Sequence, residues 1–192
     1  RPGARSAYAA DYLSNVTDQG RGLQFEGQVN LAVGPDVCVL SVNQIPNHGF
    51  GGADVGWPED VAEVSDVIRI PRKPQIADTP TSIGLTPAAI LLNGVKWEAN
   101  PAACFGEGRG ALGRERIGCG PRFVDHPWRY NIGSPLNRFQ FDAYHAHVQG
   151  QGMYHYHATP RVLYSTDAQT FDDADCAAAG PSPVIGFALD GF

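Results

Sequence analysis

Hydrophobic and polar residues alternate along LQFEGQVNLAV, residues 23–33, which puts every second side chain on one face of an extended strand. DVCVLSV, residues 36–42, follows across Gly34-Pro35, a turn dipeptide, so the two segments are predicted to form a hairpin. DVIRIPR reads as a further strand ending at Pro71, and AAILLNGVKWEA as a strand folded back at Asn93-Gly94, a strong hairpin signal. Four more candidate strands come late in the chain: RFQFDAYHAHV, GMYHYHATP, RVLYS and PVIGFALDGF. No long segment carries a 3.6-residue period. The best short helix is FDDADCAAAG, residues 171–180, with Gly180 as its terminator. The pattern therefore predicts an all-β or β-dominated fold, an antiparallel sandwich-like domain with a histidine-rich hairpin and few short helices.

Composition agrees with that pattern. The chain has 192 residues, 43% hydrophobic and 18% charged, with 23 glycines and 15 prolines. That suits one globular domain of short elements and many turns, spanning residues 1–192, with 1–36 read as an N-terminal extension. The Pro-rich span from Pro71 to Pro87 reads as an irregular surface connection. A net charge of −6 with scattered basic residues argues against nucleic acid as a partner. No apolar run approaches the ~20 residues that a membrane-spanning helix needs.

Four cysteines, Cys38, Cys104, Cys119 and Cys176, form no Cys-x-x-Cys pair, so two disulfides are the simpler reading. Cys104–Cys119 closes a Gly-rich loop and leaves Cys38–Cys176 as the second bridge. Such bridges, and a start at RPGARSAY without Met, predict a processed, exported protein: secreted, periplasmic or at the cell surface.

Four of the six histidines fall in YHAHVQGQGMYHYH, residues 144–157, as two His-x-His pairs. A three-residue Gly150-Gln151-Gly152 loop, with Gly152 in the left-handed conformation, sets a register that pairs His147 with His155 and His145 with His157. All four imidazoles then share one face, and Tyr144, Val148, Tyr154 and Tyr156 share the other. A one-residue slip would abolish the arrangement. Imidazole suits copper or zinc, whereas calcium and magnesium prefer oxygen. Three ligands and an open position would support catalysis; four would close the site. Asp142 is a candidate second-sphere acceptor for an imidazole, and His48, in a Gly-rich loop, a candidate accessory residue. His126, before Pro127, reads as structural. No nucleophile elbow, phosphate-binding loop or dinucleotide fingerprint is present.

The stretch FDAYHAHVQGQGMYHYHATP resembles the YHYH family of secreted or envelope-associated proteins, named for the tetrapeptide present here as Tyr154-His155-Tyr156-His157. CVLSVNQIPNH, AAILLNGVKWEA and VIGFALDGF are similar to further segments of that family, so the resemblance runs from about Cys38 to Phe192. Gly150 stands where a Pro is expected and Ala158 where a Gly is usual, and neither change removes a candidate ligand. The family pattern continues past the point where this chain stops, which predicts a truncated or processed C-terminus whose missing segment lies on a second chain. The resemblance implies an extracytoplasmic location and supports the shared histidine face; it implies no reaction.

Three functions are therefore expected in turn. The first is an extracytoplasmic copper- or zinc-binding protein using His145, His147, His155 and His157. The second is a metal-dependent hydrolase, lyase or oxidoreductase with three histidines and an open position. The third is a surface-assembly subunit that self-associates through its edge strands.

Overall fold

A computed structural model describes residues 12–84, 86–99, 104–106, 128–130, 140–160, 163 and 184–192. The alternating segments become strands of two sheets. The first sheet is an antiparallel meander of β1 (Tyr12–Asp18), β2 (Leu23–Val33), β3 (Val37–Val42) and β4 (Asp66–Pro71), hydrogen-bonded in that order. In β3 and β4 the period of two is literal: Leu40, Val42, Ile68 and Ile70 are buried while Ser41, Val67 and Arg69 face out. The hydrophobic pattern did not predict β1, which pairs along its whole length with β2 and so places part of the expected N-terminal extension within the sheet.

The second sheet has the order β7-β8-β6-β5-β9, built from β5 (Ala89–Leu91), β6 (Lys96–Trp97), β7 (Ala146–Gln149), β8 (Met153–Tyr156) and β9 (Gly186–Ala188). Asn93-Gly94 closes the β5–β6 hairpin as expected, with Gly94 at φ +80°. A Cβ at Gly94 would stand 2.7 Å from the Val29 side chain, so the residue serves the close approach of this hairpin to the first sheet as well as its own turn. One pairing departs from the antiparallel expectation: β6 runs parallel to β8, with Trp97 opposite Tyr156. Its consequence is local and important, because it brings the end of the β6 strand alongside the histidine hairpin.

Two buried clusters join the sheets face to face. Val29, Leu40, Val42, Ile68 and Ile70 of the first sheet meet Ile90 of the second. Val16, Ile45 and Phe50 meet Leu91, Val95, Ala146, Val148, Tyr154 and Tyr156. Burial of these apolar faces is the main driving force for the sandwich. Among the described residues no helix is long and apolar enough to cross a membrane, and a turn of 3-10 helix lies at Gly150–Gly152. The expected helix at residues 171–180 and most of the RVLYS segment lie outside the described residues.

The disulfide expectation needs a correction at Cys38. Cys38 is a free thiol, half-buried in β3 and packed against the inter-sheet cluster beside Leu31 and Phe187. It acts there as a small hydrophobe, and the Cys38–Cys176 bridge is not formed. Cys104 is fully buried, while its expected partner Cys119 lies outside the described residues.

Candidate metal centre

The hairpin register is the one the sequence predicts. Gln149 faces Met153, Val148 faces Tyr154 and His147 faces His155, with Ala146 opposite Tyr156. Gly152 takes φ +78° at the last loop position, as its place in the Gly-Gln-Gly loop requires. There is no room for a side chain at Gly152: an added Cβ would lie 2.7 Å from Ala62 Cβ, Ala62 N and Asp60 O. The backbone bond from Ala62 N to the Gly152 carbonyl, 2.9 Å long, ties the loop to the segment after β3.

Alternation then separates the two chemistries. Val148, Tyr154 and Tyr156 enter the core against the first sheet, and His147, His155 and His157 gather on the other face. Their Nε2 atoms form a nearly equilateral triangle: 3.0 Å from His147 to His155, 3.1 Å from His147 to His157, and 3.0 Å from His155 to His157. All three rings are buried, His155 completely. Phe141 packs against two of them, with ring centroids 5.3 Å from His147 and 6.0 Å from His157. Burial lowers the pKa of each imidazole, with the neighbouring rings adding to the effect at His147 and His155. His147 falls to about 3, His157 to about 4, and His155 well below its ordinary value. The rings are therefore neutral at pH 7.

His155 Nδ1 donates to the Met153 carbonyl at 3.2 Å, which leaves the lone pair on Nε2, aimed at its two neighbours. The Glu98 carbonyl lies near the His157 ring and works against the lowering of its pKa. By geometry no hydrogen bond is formed, and His157 Nδ1 is buried without a partner.

The fourth histidine does not join. His145 stands opposite His157 along the chain, and the His157 amide donates to its carbonyl at 3.0 Å, as the register demands. But β7 begins only at Ala146, and His145 sits in the preceding turn at φ +59° with an exposed side chain. The left-handed backbone breaks the alternation there. The described histidine cluster is a trio.

Asp142 makes that turn and contacts no imidazole. Its Oδ1 accepts from the amides of Tyr144 (2.9 Å) and Ala146 (3.2 Å). Its Oδ2 accepts from Gly51 N (3.2 Å) and the Tyr154 hydroxyl (2.7 Å). It is thus an Asx-turn anchor that pins the start of β7 to the segment between β3 and β4. Burial raises its pKa, against the pull of those four donors.

His48 belongs to the opposite, tyrosine face. Its Nδ1 donates to the Gly49 carbonyl at 2.7 Å and its Nε2 accepts from the Tyr156 hydroxyl at 2.5 Å. Asn93 Nδ2 in turn donates to that hydroxyl at 2.8 Å. Burial lowers the His48 pKa to about 4, so the chain of bonds is satisfied with a neutral ring. His126 lies outside the described residues.

The pattern along the chain missed Glu98. Parallel pairing of β6 with β8 carries this residue to the histidine face, where its backbone amide donates to the Tyr156 carbonyl at 2.9 Å. Glu98 Oε1 accepts from Gln149 Nε2 at 2.9 Å, and Oε2 lies 3.8 Å from His155 Nε2. Burial raises the Glu98 pKa, with the Gln149 bond and Lys96 opposing. The one sequence signal was an acidic residue at a strand end in NGVKWEA; its neighbour across the sheet was not readable.

A two-sheet β fold carrying a buried three-histidine cluster beside a buried carboxylate defines the class of protein. The family model for YHYH protein matches residues 67–192, more than half of the chain, and the chain belongs to that family. The match begins within β4, so β1 to β3 and the His48 loop precede it. No curated protein and no solved structure matches the chain.

Proposed function

We propose that the protein binds a transition-metal ion, copper or zinc, through Nε2 of His147, His155 and His157, in an extracytoplasmic setting. The observation that carries this is the triangle of nitrogens 3.0–3.1 Å on a side. Three neutral imidazoles at such distances have no good arrangement of their own. A ring with its proton on Nε2 can serve only part of the triangle, so at least one pair of nitrogens is left with two lone pairs or two N–H groups facing each other. A single cation accepts all three. His147, His155 and His157 would hold such an ion through Nε2 at the usual imidazole–metal distance of about 2.0–2.1 Å, and it would act there as a Lewis acid.

Neutral imidazole donors fit copper and zinc, and binding needs no proton displaced from rings that are already neutral. Elemental analysis of protein isolated from its own source tests the reading, together with titration calorimetry of the metal-free protein with Cu(II) and Zn(II). Native protein without metal that also takes up neither ion would overturn it.

A second reading, a metal-dependent enzyme, is favoured by the ligand count. The described residues bring three histidines together rather than four, and three protein ligands with an open position is the arrangement of catalytic zinc sites. The reaction class stays at hydrolase, lyase or oxidoreductase.

A further inference from the structure

We propose that Glu98 stands beside the coordination shell rather than within it, and accepts a hydrogen bond from a neutral protic oxygen ligand held at the ion's open position. Water and hydroxyl-bearing molecules are the ligands this chemistry selects. The inference rests on the metal reading above.

Three geometric facts point there. First, Glu98 is nine-tenths buried, its Oε2 takes no hydrogen bond from the described residues, and that oxygen is not among the fully enclosed unpartnered atoms. It therefore stays open to a protic molecule that can serve as its donor. Second, no donor is available from the nearest ring. The 3.8 Å from Oε2 to His155 Nε2 is too long for a hydrogen bond, and the His155 proton is committed on Nδ1 to the Met153 carbonyl. Third, Oε2 is not placed as a fourth ligand. The histidine nitrogens stand 3.0–3.1 Å from one another, whereas the carboxylate approaches His155 at 3.8 Å and neither of the other two rings.

Gln149 holds the carboxylate in that position. It occupies Oε1 with its amide and leaves Oε2 turned toward the triangle. Gln149 is the last residue of β7 and Glu98 follows β6, so strands flanking β8 on both sides converge on the site.

A group in the open position would meet a carboxyl group that accepts a hydrogen bond and, when ionised, repels negative charge. Neutral oxygen donors bearing a proton satisfy both. Anions carry no proton for Oε2 and are repelled by it.

The test uses Cu(II)-loaded full-length chain, with azide as the anionic probe and the variants Glu98→Gln and Glu98→Ala. Metal affinity is read by chelator competition, the nitrogen ligand set by electron paramagnetic resonance, and azide affinity by its charge-transfer absorption. Glu98→Gln is isosteric and its amide oxygen can still accept from Gln149. The proposal expects it to keep the three-nitrogen signature and Cu(II) affinity to within about threefold, while azide affinity rises about tenfold or more. Glu98→Ala should shift azide affinity in the same direction. Loss of Cu(II) affinity of about 100-fold in both variants, with an altered spectrum, would make Glu98 a ligand and overturn the proposal. Unchanged azide affinity would overturn it as well. Wild-type chain that binds no metal would instead remove the metal reading beneath it.

Discussion

Three imidazole nitrogens packed within hydrogen-bonding distance cannot all be satisfied by one another, and a cation would accept all three, so each of the three residues should matter for binding and His145 should not. His155→Ala is expected to lower Cu(II) or Zn(II) affinity by more than about 100-fold, beyond the loss typical of an outer-sphere partner. His145→Ala, on an exposed turn residue, should change it little. Competition with a chelator measures both; equal losses would restore the fourth ligand. Acid should destabilise the metal-free protein. His48, His147, His155 and His157 all have folded pKa values below the ordinary 6.5, two of them at about 4 and one at about 3. The unfolded chain therefore binds more protons as pH falls below 6.5. Glu98 and Asp142, whose pKa values burial raises, work in the opposite direction, but two carboxyls do not outweigh four imidazoles. Urea midpoints of metal-free protein should be flat above pH 6.5 and fall steadily between 6.5 and 4. A midpoint that rises over that interval would contradict the buried neutral rings.

The histidine hairpin is an element whose register depends on its loop. Gly152 combines φ +78° with contacts that leave no space for a Cβ, since the nearest atoms include backbone of Asp60 and Ala62. Gly152→Ala should destabilise the fold by about 1–3 kcal/mol through overpacking and backbone strain, seen as a lowered denaturation midpoint. The same change should weaken metal binding, because displacement of the loop shifts His155 relative to His147. Gly150 has nothing within 4 Å of an added Cβ, so Gly150→Ala serves as the control and should be tolerated. Legibility at this scale was uneven for a physical reason. Alternation, the glycine loop and the β5–β6 turn are local signals, and all three appear where the sequence placed them. His145 failed the same rule because Asp142 draws the preceding residues into a turn, with its side chain bonded to the amides of Tyr144 and Ala146.

Across the whole molecule, the histidine cluster is supported from behind by the inter-sheet core. Tyr154 and Tyr156 are fully buried against the first sheet, so the strand that carries His155 and leads into His157 is fixed by apolar burial on its other face. Ile90, also fully buried, lies in the cluster that joins the sheets. Ile90→Ala should cost about 2–5 kcal/mol while leaving metal stoichiometry unchanged in native buffer. Followed by fluorescence and by metal release, its unfolding should give coincident transitions; separate transitions would mean that the two sheets do not unfold as one unit. The sequence by itself determined the β-rich class, the hairpin register and the division of tyrosines from histidines, because periodicity and turn chemistry are properties of neighbouring residues. Only the tertiary structure decided that three histidines gather rather than four, that Cys38 is a packed free thiol, and that Glu98 stands beside the trio. Those depend on a left-handed turn, a sheet-to-sheet contact and a parallel strand pairing, which join residues far apart in the chain.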